Sequence, residues 1–176
     1  MDLESLKYPI GKYRVEEASD KASVNKWIKE IETLPKKLKA AVKGFNSRQL
    51  NTPYRPEGWT VRQVIHHIAD SHMNAYIRFK LALTEDKPMV KPYDEKLWSE
   101  LPDINLVDVK VSLDLIKSLH LKWSTLLREL DENDLNREFI HPESGTKKLR
   151  ETIGHYAWHG NHHLAHITSL KLRMKW

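Results

Sequence analysis

The segment "HYAWHGNHHLAHI", residues 155–167, contains five of the ten histidines of the chain. We interpret it as part of a long helix, in which residues three or four apart lie on the same face. Four of the histidines then share one stripe, with His162 on its flank: His155, His159, His163 and His166. Two imidazoles at positions i and i+4 can bind one metal ion, but a stable site needs a third protein ligand. The fold must therefore bring another ligand-bearing segment to this helix.

Spacing alone leaves three pairs of ligands open on this helix. His159 with His163 is the favoured pair, but His162 with His166 has the same spacing, and so has His155 with His159. The histidines that are not ligands can still fix the orientation of those that are, by hydrogen bonding to their second ring nitrogen.

A second helical segment, "VIHHIADSH" at residues 64–72, offers the third ligand. His67 ranks first because it lies in the middle of the polar stripe, whereas His72 projects towards the apolar side and His66 lies between the two. Three neutral imidazoles suit Zn²⁺, and Ni²⁺ or Co²⁺ could occupy the same site. Three protein ligands leave a coordination position for water or substrate, which indicates chemistry more than scaffolding.

Four long amphipathic segments with little strand between them predict an all-α protein, a four-helix bundle in a single domain over residues 1–176. Pro35 is expected to kink or restart the first helix. Thr60 and Gln63 form a capping-box pattern that predicts a sharp start for the second. The first predicted helix begins at Lys21. The second runs from Thr60 to Leu83, the third from 112 to 130, and the fourth from Thr152 to Arg173.

The connections between these helices are longer than a minimal bundle needs. Residues 1–20 are predicted to be an extended lead-in. Residues 85–111 contain three prolines and are predicted to be irregular, and they form either a lid over the site or only a connection. A small hairpin is expected around Ser144 and Gly145. Gly154 and Gly160 lower the helix propensity of the last segment, so packing must compensate or another element must approach closely there.

Composition narrows the class of protein. The chain has no cysteine, so any metal must be bound by nitrogen and oxygen, and a reducing cytoplasm is a suitable location. The net charge is +5, but basic and acidic residues are interspersed, and no basic run predicts binding to nucleic acid. No apolar run is long enough to cross a membrane, and the first residues do not resemble a secretory signal.

Four segments together resemble the DinB superfamily, and in particular its YfiT-like branch. "GWTVRQVIHHIADSHMNAYIRFKL" (58–81) and "YAWHGNHHLAHI" (156–167) contain the histidines. "YPIGKY" (8–13) and "KPYDEKLWSEL" (91–101) extend the resemblance over nearly the whole chain. The resemblance implies a four-helix bundle, a homodimeric cytoplasmic protein, and a metal site of one histidine on the second helix with an H-x-x-x-H pair on the last. These positions match His67, His159 and His163.

The resemblance implies one of two activities, a metal-dependent hydrolase that activates a bound water or a thiol S-transferase that uses bacillithiol or a similar low-molecular-weight thiol. No glutamate follows the H-E-x-x-H pattern of a general base, which favours the thiol reaction slightly. Asp70, Asn74 and Arg78 share the stripe of His67 and are candidates to contact an anionic cosubstrate, and His162 is a candidate proton shuttle. The alternative is a non-enzymatic metal-binding protein of a stress response.

Overall fold

The computed structural model describes residues 2–15 and 20–176, and in it four long helices form a bundle. The long helices are α2 (Lys21–Ala41), α4 (Val61–Thr84), α7 (Val109–Arg128) and α9 (Leu149–Met174). Short elements lie between and before them: α1 (Leu3–Lys7), α3 (Ser47–Leu50), α5 (Glu95–Trp98), α6 (Pro102–Leu106), α8 (Glu132–Leu135), β1 (Glu138–His141) and β2 (Gly145–Lys148). The predicted four-helix bundle with one small hairpin is confirmed.

The order of the helices around the bundle explains two of the three long connections. Helix α2 packs against α7 and α9, and α4 packs against the same two. The consecutive helices α2 and α4 therefore lie on one diagonal of the bundle, and α7 and α9 lie on the other. The connections from α2 to α4 and from α7 to α9 each have to cross the bundle, which a short turn cannot do.

Side-chain caps set most of the helix starts. Asp20 accepts a hydrogen bond from the backbone of Ser23 and starts α2 at the predicted residue. Thr60 and Gln63 form the predicted capping box at the start of α4. Helix α7 begins at Val109, before the predicted residue 112, because the side chain of Asp108 caps it by accepting from the Lys110 backbone.

The predicted restart at Pro35 is wrong, since α2 continues through this residue as one helix, and the predicted kink stays a prediction. Proline has no N–H, so the backbone carbonyl of Ile31, four residues earlier, has no partner within the helix. That carbonyl instead accepts a hydrogen bond from Nδ1 of His120 on α7, at 2.6 Å. The neighbouring helix thus supplies the donor that the proline lacks.

The core consists of two apolar clusters with buried histidines between them. His72 on α4 and His120 on α7 are fully buried at the level that separates the clusters. The first cluster includes Trp27, Phe79, Trp123, Leu127 and Ile153. The second includes Leu38, Ile65, Ile68, Ile116 and Ile167.

Helix α2 approaches α9 closely at the two glycines of α9. A Cβ at Gly160 would overlap the side chain of Leu34, and one at Gly154 would lie 3.2 Å from the ring of Trp27. The sequence predicts that the two glycines are either compensated by packing or required by the close approach of another element. The close approach of α2 is what the structure shows. The helix begins at Leu149 instead of Thr152, because β2 leads directly into it.

The connecting segments pack on one another. The hairpin pairs Phe139 with Lys147, and Gly145 in its turn has a φ of 74°. The segment after α4 joins the hairpin, since the backbone N–H of Val90 donates to the carbonyl of Ile140 at 2.9 Å. The predicted lead-in contains the short helix α1 instead of being extended throughout, and its Met1 and residues 16–19 lie outside the described residues.

Within the described ranges, none of the helices combines the length and the apolar character that crossing a membrane requires.

Candidate metal centre

His67 on α4 and His159 and His163 on α9 point their rings at one position between the two helices. One ring nitrogen of each lies within 4.8 Å of those of the other two. Nε2 of His67 is 3.2 Å from Nε2 of His159. A tetrahedral Zn²⁺ ion with bonds of about 2.0–2.1 Å places its ligand nitrogens about 3.3 Å apart. The geometry of these side chains therefore fits a divalent ion before any is bound.

Burial keeps the three imidazoles neutral. It lowers the pKa of His67 to about 4 and those of His159 and His163 well below the ordinary value. A neutral imidazole has a free lone pair on one nitrogen, which is the form that binds metals. The site therefore presents three uncharged nitrogen donors at neutral pH.

A second group of histidines competes for the same ion, because His162, His163 and His166 also bring ring nitrogens together. The two groups share His163. His166 is already engaged, since its Nε2 donates to the carbonyl of Lys7 at 3.0 Å and its ring stacks on Tyr54 at 3.8 Å. These contacts favour the first group.

The remaining histidines lie around this position without joining it. His66 forms a hydrogen bond with a residue outside this position, since its Nδ1 lies 2.8 Å from Oγ of Ser112. The ring centre of His155 is 6.2 Å from that of His159. His72 hydrogen bonds to His159 instead, with its Nε2 3.1 Å from Nδ1 of that residue. Among the residues that the structure describes, His159 and His163 are therefore the one pair, of the three that spacing left open, that is grouped with a histidine on another helix.

A cavity of about 510 Å³ lies on one side of His159, and a cleft of about 340 Å³ lies on the other. The cleft contains His67, His162 and His163. The polar side chains of the cavity include Ser71, Arg78, Tyr93, Glu95, Lys147 and Tyr156. Two residues line both spaces, His159 and Glu95. The candidate metal position therefore opens to a space large enough for a small molecule.

Glu95 is a site residue that the sequence did not indicate. The residue as a whole is exposed, but partial burial of its carboxyl group raises its pKa, and the nearby Asp94 and Glu143 raise it further. It is the first residue of the short helix α5, and no helical periodicity relates it to the histidines on α4 and α9. Pro92 and Tyr93, just before it, also line the cavity, so this part of the connection between α4 and α7 forms a wall of the site.

The four predicted candidates for other roles divide into two pairs. Arg78 lines the cavity and His162 lines the cleft. Asp70 and Asn74 line neither space. Asp70 lies near Asp103, and Nδ2 of Asn74 donates to the backbone carbonyl of Asp70 at 2.9 Å. Helix phase placed Asp70, Asn74 and Arg78 on one stripe of α4, but α6 covers the part of the stripe that holds Asp70.

His120 is the other residue that the sequence did not indicate. It is fully buried on α7, and its Nε2 is 2.9 Å from Nδ1 of His72. The available signal was its position on the apolar stripe of α7, four residues after Ile116 and three before Trp123. A histidine on a buried stripe needs a hydrogen-bond partner, and the sequence does not say which.

The comparisons with known proteins agree with this architecture. A family model described as the DinB superfamily matches residues 30–167. A protein of Oceanobacillus iheyensis, described as a "putative metal-dependent hydrolase", is 57% identical over 97% of this chain and 98% of its own. A protein of Bacillus mycoides with the same description is 54% identical over 99% of this chain and all of its own length (100%).

Two solved structures share the fold. YfiT from Bacillus subtilis has a TM-score of 0.95 and 51% identity, covering 98% of this chain and 99% of its own. It is described as "a probable metal-dependent hydrolase with an unusual four-helix bundle topology". The four-helix bundle protein TT2238 has a TM-score of 0.56 and 20% identity, over 80% of this chain and 94% of its own, and supports the fold alone.

Proposed function

The chain belongs to the DinB superfamily, and we propose that it is a metal-dependent hydrolase whose divalent ion is bound by His67, His159 and His163. The supporting observation is the 3.2 Å separation of two ring nitrogens, from His67 and His159 on different helices. We propose Zn²⁺ as the native ion, with Ni²⁺ and Co²⁺ as the alternatives, because three neutral imidazoles suit these metals.

Glu95 is the side chain best placed to accept a proton during hydrolysis. When bound, the ion would lower the pKa of water and polarise a substrate carbonyl. Glu95 lines both spaces that His159 lines, and its raised pKa makes its carboxylate a stronger base than one with an ordinary pKa. Its place on the short helix α5, away from the helices of the histidines, also explains why the sequence showed no H-E-x-x-H base.

The cavity favours a small polar substrate, because its wall carries charges of both signs, with Glu95, Glu143 and Glu151 beside two basic residues. Arg78 and Lys147 provide positive charge on its wall, and Tyr93 and Tyr156 provide hydroxyl groups that can donate hydrogen bonds. Burial raises the pKa of both tyrosines, so these hydroxyls stay protonated at neutral pH. These four residues would orient a substrate carbonyl towards His159.

The second candidate function is transfer of a low-molecular-weight thiol such as bacillithiol to an electrophile. The volume of about 510 Å³, next to Arg78 and Lys147, is the observation that favours it, because a hydrolase needs room only for substrate and water. The predicted reaction would bind the deprotonated thiol where the hydrolase binds water.

An assay with two arms distinguishes these functions. Zinc-loaded protein is incubated with ester and amide substrates, and separately with an epoxide or aryl halide in the presence and absence of bacillithiol. Hydrolysis at the same rate with and without bacillithiol supports the hydrolase. Glu95→Gln should slow this hydrolysis at least tenfold. Conjugation that requires the thiol supports the transferase. Stoichiometric metal without turnover in either arm favours the non-enzymatic metal-binding protein.

Metal content tests the ligands independently of the reaction. We expect His67→Ala to abolish stoichiometric zinc binding, measured by elemental analysis of protein purified without added nickel. His162→Ala is the matched control, since it removes a neighbouring histidine of the competing group, and it should retain the metal. Loss of metal in His162→Ala with retention in His67→Ala would instead assign the site to His162, His163 and His166.

A further inference from the structure

Hydrogen bonds between buried histidines join the metal centre to the opposite side of the bundle. Nδ1 of His159 lies 3.1 Å from Nε2 of His72, and Nδ1 of His72 lies 2.9 Å from Nε2 of His120. Nδ1 of His120 lies 2.6 Å from the carbonyl oxygen of Ile31. The series includes one residue from each of the four long helices, and neither His72 nor His120 has a role in the proposed reaction.

The direction of every hydrogen bond in this series is determined by its last member. A carbonyl oxygen can only accept, so Nδ1 of His120 must carry a proton. Burial lowers the pKa of His120 to about 4, so its ring is neutral and its Nε2 is an acceptor. His72 must then donate from Nδ1 and accept at Nε2, and His159 must donate from Nδ1. The lone pair of His159 is left on Nε2, the atom that faces His67.

Pro35 makes the carbonyl of Ile31 available. Any other residue at position 35 would have an N–H that bonds to this oxygen within α2. The carbonyl would then have two donors competing for it, and the hydrogen bond from His120 would be weakened. The proline in the middle of α2 is thus connected to the metal centre without contacting it.

We propose that His72 and His120 are positioning residues. Together with the carbonyl of Ile31, which Pro35 leaves free, they hold His159 in the tautomer whose Nε2 can bind metal. A neutral histidine otherwise exchanges between two tautomers, only one of which presents Nε2 as a ligand. His163 is supported in a similar way. His166 donates from Nε2 to Lys7, so its Nδ1 can accept from Nδ1 of His163 at 3.4 Å.

The inference rests on the proposed function only where it concerns metal affinity. The tautomers of the histidines can be measured in the metal-free protein. Nitrogen-15 NMR of histidine-labelled, metal-free protein distinguishes protonated from unprotonated ring nitrogens. We expect His159, His72 and His120 to carry the proton on Nδ1. A His159 ring protonated on Nε2, or exchanging between both forms, would overturn the proposal. If the protein bound no metal, the proposed function would fail, but this measurement would still decide the tautomers.

Substitutions then test whether the series supports the ligand. His72→Phe keeps an aromatic ring beside Trp123 and Tyr156 but cannot accept from His159. We expect its zinc affinity, measured by competition with a chelating dye, to fall about 10–100-fold. His66→Phe is the matched control, because His66 bonds to Ser112 and lies outside the series. Its zinc affinity should stay within about threefold of the original, at most RT ln 3, about 0.7 kcal/mol.

Pro35→Ala covers the case in which His72→Phe does not fold. It keeps every histidine and restores the helical N–H that competes for the carbonyl of Ile31. We expect NMR to show weaker protonation of Nδ1 on His120 and His159, together with a smaller loss of zinc affinity. Unchanged tautomers and affinity in a folded Pro35→Ala protein would overturn the role assigned to the proline, and unchanged affinity in folded His72→Phe would overturn the role of the histidines.

Discussion

The chemistry of each buried histidine depends on what its second ring nitrogen contacts. Nδ1 of His159 bonds to His72, so Nε2 is free for a metal, whereas His66 bonds to a serine on another helix. His166 bonds to a backbone carbonyl, which takes one of its two nitrogens. Residues of the same type, close in sequence, therefore have different functions.

Asp70 is a carboxyl group that opposes folding at neutral pH. Burial and the nearby Asp103 raise its pKa to about 6 from 3.8. Because the folded pKa is the higher one, the unfolded chain ionises first as the pH rises. The protein therefore loses stability between about pH 4 and pH 6, and the loss persists above pH 6.

We expect Asp70→Asn to remove this penalty. The free energy of unfolding in urea should rise by roughly 1 kcal/mol at pH 8, after the pKa difference is discounted for solvent screening, and should change little at pH 3.5. A gain of equal size at both pH values would show that the effect comes from packing and not from ionisation.

The sequence predicted which histidines come together better than it predicted their surroundings. Helix phase, spacing and the family resemblance together selected His67, His159 and His163, and the structure brings these three side chains to one position; that they bind a metal stays a prediction. Glu95 and His120 depend on which elements pack together, and periodicity within one helix does not contain that information. Residues that come to a site from separate elements can be identified only once the packing of those elements is known.

At the scale of elements, local sequence predicted the starts of α2 and α4, where a side chain caps the helix, but missed the cap at Asp108 that starts α7. Thr60 with Gln63 is an example of a predicted cap. The predicted restart at Pro35 was wrong, because the helix tolerates the missing hydrogen bond where His120 on α7 donates to the carbonyl that the proline leaves without a donor. The start of α9 at Leu149 depends on the hairpin that precedes it, which no cap pattern indicates.

Gly160 tests the close contact between α2 and α9. Helix propensity alone predicts that Gly160→Ala is stabilising by about 1 kcal/mol. The overlap of the new methyl group with Leu34 predicts the opposite, a loss of about 1–3 kcal/mol in the free energy of unfolding. Urea denaturation decides between the two signs.

The double variant is the control for this prediction. In the background of Leu34→Ala, where space has been created, Gly160→Ala should cost less or become stabilising. An equal cost in both backgrounds would mean that the methyl group meets something other than Leu34.

At the scale of the molecule, the candidate ion connects two helices that are far apart in sequence, α4 and α9. Its ligands come from residues 67, 159 and 163, so the unfolded chain does not assemble the site. The predicted homodimer is a separate matter and stays a prediction, which light scattering of the purified protein would test.

Metal removal should therefore destabilise the whole bundle. We expect a chelator to lower the thermal unfolding temperature of the zinc-loaded protein, since zinc at 100 times its dissociation constant stabilises the native state by about 2.7 kcal/mol. His67→Ala should unfold at the same temperature with and without chelator. A chelator effect that persists in His67→Ala would place the stabilising ion elsewhere.

Pro35 has a consequence for how this sequence can vary. A proline within a helix is normally costly, and here its cost is offset by a histidine on another helix, whose burial is in turn offset by the carbonyl that the proline leaves free. Neither residue is favourable without the other. Across relatives of this chain, we expect the residues at positions 35, 72 and 120 to be inherited together, so that lineages which have lost the proline have also replaced the two histidines.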